Sequence, residues 1–462
     1  MMKFGYGFGA IGFGSVYYFM ATYHVVFLTN CVGFNATIAS TISSVALIIE
    51  AVAGMVVGNV SDTCNSKFGR RRPFILASTI TILPIMFFVV RKIEAPVYVQ
   101  IAYYLAFAIL FRVFFSNCEI PYNALGADVV TDYDERTRLR TISRLFSIVG
   151  NAIGYIMPLV ILELFVGREA AGWQLMGVIL GLIALGSWGT SLFLVKEPAR
   201  VALMPKKKNV FKHIIVNYFE LLKLKPMRLL LIYKIAFSVA FAINNVGTIY
   251  FLKYNLGLDN RYSSYIYVFT IIIFTLSTPL VDKMAMIKSK AWQQMVSMGI
   301  CGFAGIGIYL FAADSVLFCA VYVGLMALVT TGFWQLSGSL FYDIVEVDEF
   351  ANNKRREGDI MSFVSIVGTI MTALVVQGFG VLFNMAGFDA NASAQSESVM
   401  MFLNAAFILV PSLCLLAGAY ALKIFPINRE NFAVLGKVLA LRADNLDYSM
   451  YKDEIEKIIG RD

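Results

Sequence analysis

Apolar residues run along this chain in stretches of about twenty, separated by short polar loops, almost from one end to the other. Wound as an α-helix, a stretch of that length crosses the roughly 30 Å hydrocarbon core of a bilayer. The pattern predicts twelve spans, near residues 6–29, 39–60, 74–91, 97–120, 142–165, 172–195, 228–251, 262–281, 292–312, 316–341, 360–385 and 399–424. Two segments break the rhythm. Residues 196–227 carry Pro198, Pro205, Lys206, Lys207, Lys208, Lys225 and Pro226, which suits a polar linker. Residues 425–462 turn polar and charged, with a short amphipathic helix or a solvated tail expected over 447–459. The expected organisation is an all-α membrane protein of two six-helix bundles, 1–195 and 228–424, with linker and tail on the cytoplasmic side.

Composition agrees with that pattern. Of 462 residues, 59% are hydrophobic, against the 45–50% usual in soluble domains. The net charge of +8 is sorted by topology and calls for no nucleic acid. Basic clusters follow the even-numbered spans: Lys67 with Arg70, Arg71 and Arg72; Arg136, Arg138 and Arg140; Lys206–Lys208; Lys283, Lys288 and Lys290; Lys354–Arg356. By the positive-inside rule both termini are expected in the cytoplasm. The first span is too long for a signal peptide and no small-residue cleavage site follows it. The six cysteines have no metal-ligand spacing, so no metal or cofactor is expected. Asn35-Ala36-Thr37 and Asn391-Ala392-Ser393 match a glycosylation sequon, a tripeptide that recurs by chance.

The halves read as a duplication. Asp62 ends span two before a basic cluster, and Asp282 does the same after span eight, 220 positions on. Asp128-Val129-Val130, followed by Arg136, is matched by Asp343-Ile344-Val345, followed by Arg355, at an offset of 215. A parallel six-plus-six repeat places a substrate site between halves.

Ionisable residues inside the spans carry the chemistry. A carboxylate in hydrocarbon costs several kcal/mol, so one is kept there only with a partner, a proton or a ligand. Glu50 lies in span two and Glu119 in span four, with Arg112 in the middle of span four. Arg112, Ser116 and Glu119 are spaced i, i+4, i+7 and share one helix face. Arg112 is expected to neutralise Glu50 or Glu119, either as a stand-in for a mobile cation or as a structural ion pair.

The loop Asp62-Thr63-Cys64-Asn65-Ser66-Lys67-Phe68-Gly69-Arg70-Arg71-Arg72-Pro73 resembles the cytoplasmic signature of the major facilitator superfamily. Glu119-Ile120-Pro121-Tyr122-Asn123-Ala124-Leu125 with Asp134-Glu135-Arg136-Thr137-Arg138-Leu139 narrows the likeness. So do Glu346–Phe350 with Arg355-Arg356-Glu357-Gly358, and the opening Gly5-Tyr6-Gly7-Phe8-Gly9-Ala10. Together they resemble the glycoside–pentoside–hexuronide:cation symporter family, over almost the whole chain and in order. The resemblance implies a twelve-helix major facilitator fold and sugar uptake coupled to sodium, lithium or protons.

Carried over residue by residue, the likeness implies a cation site at Glu50 and Ser116. The second span-two acid of the family is Gly54 here, and an adjoining asparagine is Ala53. Substrate contacts are implied at Glu119, Arg144 and Trp334, where a carboxylate accepts from hydroxyls, a guanidinium donates and an indole face stacks on a sugar ring. The family's span-one acid is Gly14 here, and its span-eleven lysine position is Thr369. Tyr17, Tyr18, Tyr122 and Tyr342 are candidate lining, Asn244 and Asn245 candidate donors, and His24 and Lys234 weaker candidates for a proton relay. Asp62, Arg70, Arg71, Asp128, Arg136, Asp343 and Arg355 form the expected gating motifs.

The expected function is a secondary transporter of a sugar or glycoside, proton-coupled in preference to sodium-coupled, working as a monomer among membrane lipids. A lipid or amphiphile carrier and an uncoupled facilitator are the alternatives within transport. An enzyme is disfavoured: there is no HExxH, GxSxG or phosphate loop, and the only histidines are His24 and His213. A sensor would need a soluble domain longer than the tail.

Overall fold

The structure is a computed structural model describing residues 2–64, 66, 68–129, 133–195, 217–313, 315–352, 356–390, 392, 394–443, 446–447 and 449–451. Among the described residues the regular structure is helical, and twelve helices are long and apolar enough to cross a membrane. They are α1 (Met2–Val32), α2 (Ala36–Thr63), α3 (Arg72–Val89), α4 (Val97–Val129), α5 (Tyr133–Leu164), α6 (Glu169–Leu194), α7 (Lys225–Asn255), α8 (Asn260–Ile287), α9 (Lys290–Phe311), α10 (Val316–Asn352), α11 (Glu357–Met385) and α12 (Glu397–Lys423). A thirteenth, α13 (Arg429–Ala443), follows.

Local chemistry sets several ends. Asn35, the sequon asparagine, caps α2 by accepting from the Ile38 amide at 2.8 Å. Ser289 caps α9 through the Trp292 amide at 3.1 Å. Such caps satisfy amides that the helix itself leaves bare. Spans one and seven both finish in a π-turn, Phe27–Val32 and Phe251–Asn255.

α10 runs well past the predicted end at 341, because ion pairs support its polar last turns. Lys290 donates to Asp343 at 3.0 and 3.1 Å and to Ser339 at 2.7 Å, and Arg356 brackets the fully buried Asp348. Hydropathy sees those residues as loop. The tail differs from expectation as well: its helix is α13, with Leu435 and Val438 buried and Arg442 donating to the Phe350 carbonyl at 3.0 Å. Of the stretch expected to be helical, 447–459, residues beyond Tyr451 lie outside the described ones.

The chain forms two compact units: residues 1–206, 242–271 and 372–404 in the first, and 207–241, 272–371 and 405–462 in the second. Within the first, α1 packs on α5 and α6, α2 on α4, and α3 on α4 and α6. The α1–α5 crossing is closed by small residues. A Cβ at Gly154 would meet the Ser15 carbonyl at 2.6 Å, and one at Gly150 would meet the Ile11 Cα at 2.9 Å. Backbones that near gain dispersion contact over the whole crossing, the main attraction left between helices in lipid. Within the second unit, α9 packs on α10 and α12, where a Cβ at Gly302 would meet the Ser412 carbonyl at 2.9 Å.

Overpacking at such a crossing costs about 1–3 kcal/mol. Gly154→Val is therefore expected to lower the thermal unfolding midpoint in detergent by several degrees, while Gly186→Val, with open space around its Cβ position, leaves it unchanged. Equal midpoints for the two variants would contradict the crossing.

Candidate functional site

The polar centre of the first unit lies where α2 and α4 face each other. Arg112 Nη1 donates to Glu50 Oε2 at 3.1 Å, with side chains only 6% and 15% exposed. Of the two carboxylates sequence left open as its partner, Glu50 is the one bonded. Arg112 also lies 5.8 Å from the Phe111 ring centroid. One turn along α4, Ser116 is buried, and it opposes Gly54 of α2: a Cβ at Gly54 would stand 3.2 Å from Ser116 Oγ and 3.1 Å from Ile120 Cδ1.

Glu119 is half-buried and has no hydrogen bond or ion pair among the described residues, though the charges of Glu50 and Arg112 both act on it. Tyr17 of α1 lies within electrostatic reach of all three. Three helices thus bring one cation, two carboxyl groups and a phenol into a single cluster. His24 Nδ1 bonds the Ser43 hydroxyl at 2.8 Å and also feels the Arg112 charge.

Other expected site residues sit elsewhere in the first unit. Arg144 of α5 is half-buried and within charge reach of Tyr18, whose ring lies 4.7 Å from that of Tyr155. Tyr122 is buried; its hydroxyl donates to the Tyr6 carbonyl and the two rings stack at 4.5 Å, fastening α4 to α1. The Asn245 side-chain oxygen accepts from Tyr155 at 2.8 Å and from Thr22 at 3.4 Å, while the Asn244 carbonyl accepts from Thr248. Thr29 and Tyr250 share a hydrogen bond of 2.8 Å, and Ser44 donates to Gln377 at 2.9 Å. These bonds tie α1, α2 and α5 to α7 and α11. Residues 90 to 333 apart in sequence show no shared period, so reading the sequence could not pair them.

In the second unit Trp334 is 48% exposed and stands edge-on to Phe237, Phe241 and Phe333, at 6.3, 6.1 and 5.6 Å. Asp343 pairs with Lys290, and the exposed Asp282 accepts from Gln335. Arg355 lies outside the described residues. Its neighbour Arg356, which sequence reasoning passed over, bonds Asp348 at 2.6 and 2.8 Å, Glu220 at 2.6 Å and Asn217 at 3.1 Å. Its hydrogen bonds to Asp348 hold the guanidinium charged above its ordinary range. In the first unit Arg71 is buried and Arg70 half-buried, and Arg72 donates to the Leu192 carbonyl at 2.6 Å. Asp62, Asp128 and Arg136 lie on α2, α4 and α5, and their side chains are outside the described residues. Among the described residues no three His, Cys, Asp or Glu side chains gather as metal ligands.

Comparison with known proteins gives a consistent picture. The sequence profile of the family described as MFS/sugar transport protein matches residues 5–429. The Bacillus subtilis (strain 168) protein described as the uncharacterized symporter YnaJ is 24% identical, over 98% of this chain and 96% of that one. The isoprimeverose transporter of Lactiplantibacillus pentosus is 23% identical, over 92% and 88%. The crystal structure of a D-xylose–proton symporter superposes with a TM-score of 0.67 at 14% identity, covering 91% of this chain and 96% of that one. That match shows a shared fold, the twelve-helix major facilitator bundle.

Removing one member of a buried ion pair leaves the other charge stranded, at a cost of about 3–5 kcal/mol, whereas replacing both by apolar residues is close to neutral. Arg112→Met and Glu50→Gln are each expected to lower the unfolding midpoint in detergent clearly, and the Glu50→Leu/Arg112→Met double variant to recover most of the loss. Additive losses in the double variant would show that the pair is not coupled.

Proposed function

We propose, on the premise that this chain belongs to the MFS/sugar transport protein family, that of the glycoside–pentoside–hexuronide symporters, that it moves a sugar or glycoside across the cell membrane by alternating access, coupled to protons rather than to sodium. Sugar transport by a major facilitator carrier follows from the family; the coupling is our reading. Both termini are proposed to face the cytoplasm, from the sorting of basic loops, and the monomer to be the working unit.

The observation that carries the coupling is the Arg112–Glu50 ion pair. A hard cation gives up its water only for several oxygen ligands held in place. Here Glu50, the mid-span acid of α2, is engaged by a guanidinium, and Ala53 and Gly54 offer no side-chain oxygen, so that Ser116 supplies the one hydroxyl of the implied cation site. A proton needs only one carboxylate. Protonating Glu50 removes the charge that holds Arg112, so the guanidinium is released towards Glu119 or the substrate. Loading and conformation are then linked through the difference in stability between paired and unpaired forms.

On the substrate, Glu119 accepts from sugar hydroxyls, Arg144 donates, and Trp334 offers an indole face that is already half bare. Asn244 is the second donor. Tyr122 supports the site from behind, since its hydroxyl is engaged by the Tyr6 carbonyl, while Asn245, whose side-chain oxygen is held by Tyr155 and Thr22, offers its amide nitrogen as a further donor. The amphiphile reading drew on Gly14 as a loss of cavity polarity, but packing accounts for that glycine: a Cβ there would meet the Asn151 amide nitrogen and the Ser147 carbonyl, both at 2.9 Å.

Uptake of a sugar panel into proteoliposomes, with proton and sodium gradients imposed in turn, tests the proposal. The wild type is expected to respond to the proton gradient and not to sodium, and Arg112→Ala to gain several-fold stimulation by sodium as Glu50 is exposed to it. Sodium driving wild type and Arg112→Ala alike would overturn the coupling. Competition by lysophospholipids without competition by sugars would overturn the substrate class.

A further inference from the structure

A second intramembrane cation stands apart from the α2–α4 cluster. Lys234 of α7 is half-buried, and no carboxylate pairs with it among the described residues. The only influence resolved on it is the burial itself, with no acidic neighbour acting on its charge. Its ammonium lies 4.8 Å from the centroid of the Phe333 ring. A ring face compensates only a small part of what a charge loses on leaving water.

The usual way out for a membrane lysine is to snorkel towards the headgroups. Lys234 does not. Its end is held against α11, where a Cβ added at Gly368 would meet Lys234 Cε and stand 2.9 Å from Nζ. Gly368 lies ten residues into the span that begins at Gly358, about 15 Å along the helix axis. Two features of the fold therefore keep the ammonium deep: the Phe333 ring on one side and the missing side chain of Gly368 on the other. Beside it, Phe333 and Phe237 stack face to face at 3.6 Å and the half-exposed Trp334 stands edge-on to both. An aromatic wall with an accessible indole and an unneutralised cation is the chemistry that takes a ring bearing a negative charge.

The geometry points to Lys234 as a substrate-binding cation, and to a sugar carrying an anionic group, a carboxylate, sulfonate or phosphate, as the preferred substrate. The inference rests on the transport reading above and narrows its substrate class. The anion supplies the counter-charge that the protein itself omits, so substrate binding is favoured by relief of an uncompensated charge. A neutral sugar cannot supply that term, and the empty-handed lysine then disfavours it. Gly368 acts as a positioning residue: any side chain there displaces the ammonium.

Initial uptake rates of matched pairs, D-glucose with D-glucuronate, D-galactose with D-galacturonate, and D-glucose with D-glucose 6-phosphate, test this in proteoliposomes of the full chain. Charge-assisted hydrogen bonds lead us to expect a kcat/KM about tenfold or more higher for an acidic member than for its neutral partner. Lys234→Gln is expected to erase that preference by raising KM for the acid about tenfold, with the neutral sugar little changed. Lys234→Arg keeps the preference and Gly368→Ala weakens it. Wild-type protein that carries both members of each pair equally, or a Lys234→Gln loss that falls on both alike, overturns the inference while leaving transport standing. Wild-type protein that carries no member of any pair overturns the transport reading itself, and this inference with it. Should Lys234→Gln fail to reach the membrane, the Gly368→Ala comparison decides, and an unaltered acid preference there overturns the role of Lys234.

Discussion

A guanidinium and a carboxylate 3.1 Å apart in the apolar interior of a helix bundle form a contact whose strength depends on everything around it. In water the pair would be worth about 1 kcal/mol; away from water both the attraction and the cost of separating the charges rise several-fold. Arg112 and Glu50 therefore constrain α2 and α4 together, and each fixes what the other can do. So long as they are joined, one oxygen of Glu50 is held by Arg112, and Glu119, seven residues from Arg112, is the one of the two without a hydrogen-bonded partner among the described residues. The division of labour proposed for the two glutamates rests on which of them holds the arginine.

Helix packing imposes the second constraint, and it reaches into the site. Gly14 stands where the related carriers are implied to have an acid, and the α1–α5 crossing has no room there for even a methyl group beside the Asn151 and Ser147 backbone. Gly54 is less extreme: a Cβ at 3.1–3.2 Å from Ile120 and Ser116 asks its neighbours to give by a few tenths of an ångström. The absence of a carboxylate at Gly14 is thus written into how closely the helices lie, and the one at Gly54 is not. An arginine on α4 and an acid count reduced on α1 and α2 are parts of one arrangement, in which, on the function proposed above, fixed positive charge takes the place of a bound cation.

The twelve spans were legible because each is a run of apolar residues longer than any loop could tolerate, and hydropathy needs no partner to be read. Where helix ends depended on partners, the reading stopped short. α10 continues eleven residues beyond its expected end because Lys290 and Arg356, one before and one after it in sequence, neutralise Asp343 and Asp348. The face shared by Arg112, Ser116 and Glu119 could be derived from helical spacing, but the choice of Glu50 as partner could not, since it depends on how α2 leans against α4. Arg356 was hidden behind Arg355 in a basic pair, and the linker residues Asn217 and Glu220 that bind it are 139 and 136 positions away. Lys234 was visible as a charge in a span, and only the clearance at Gly368 distinguishes it from a snorkelling lysine.

The character of the bonds within the first unit bears on how such a carrier can cycle. Four neutral hydrogen bonds, Thr22–Asn245, Tyr155–Asn245, Thr29–Tyr250 and Ser44–Gln377, are among the links of α1, α2 and α5 to α7 and α11. Neutral bonds of this kind contribute about 1 kcal/mol each, so together they amount to about 4 kcal/mol. Moving a two-state equilibrium from 1:99 to 99:1 takes about 5.5 kcal/mol of differential binding. The two magnitudes are close, so a bound sugar with a handful of charge-assisted contacts is able to offset the loss of this layer. An array of buried ion pairs in the same place would exceed that range and hold the helices shut. The described ion pairs lie instead at Arg112–Glu50, which a proton on Glu50 would dissolve, at Lys290–Asp343, and around Arg356, where the chain passes from α10 to α11.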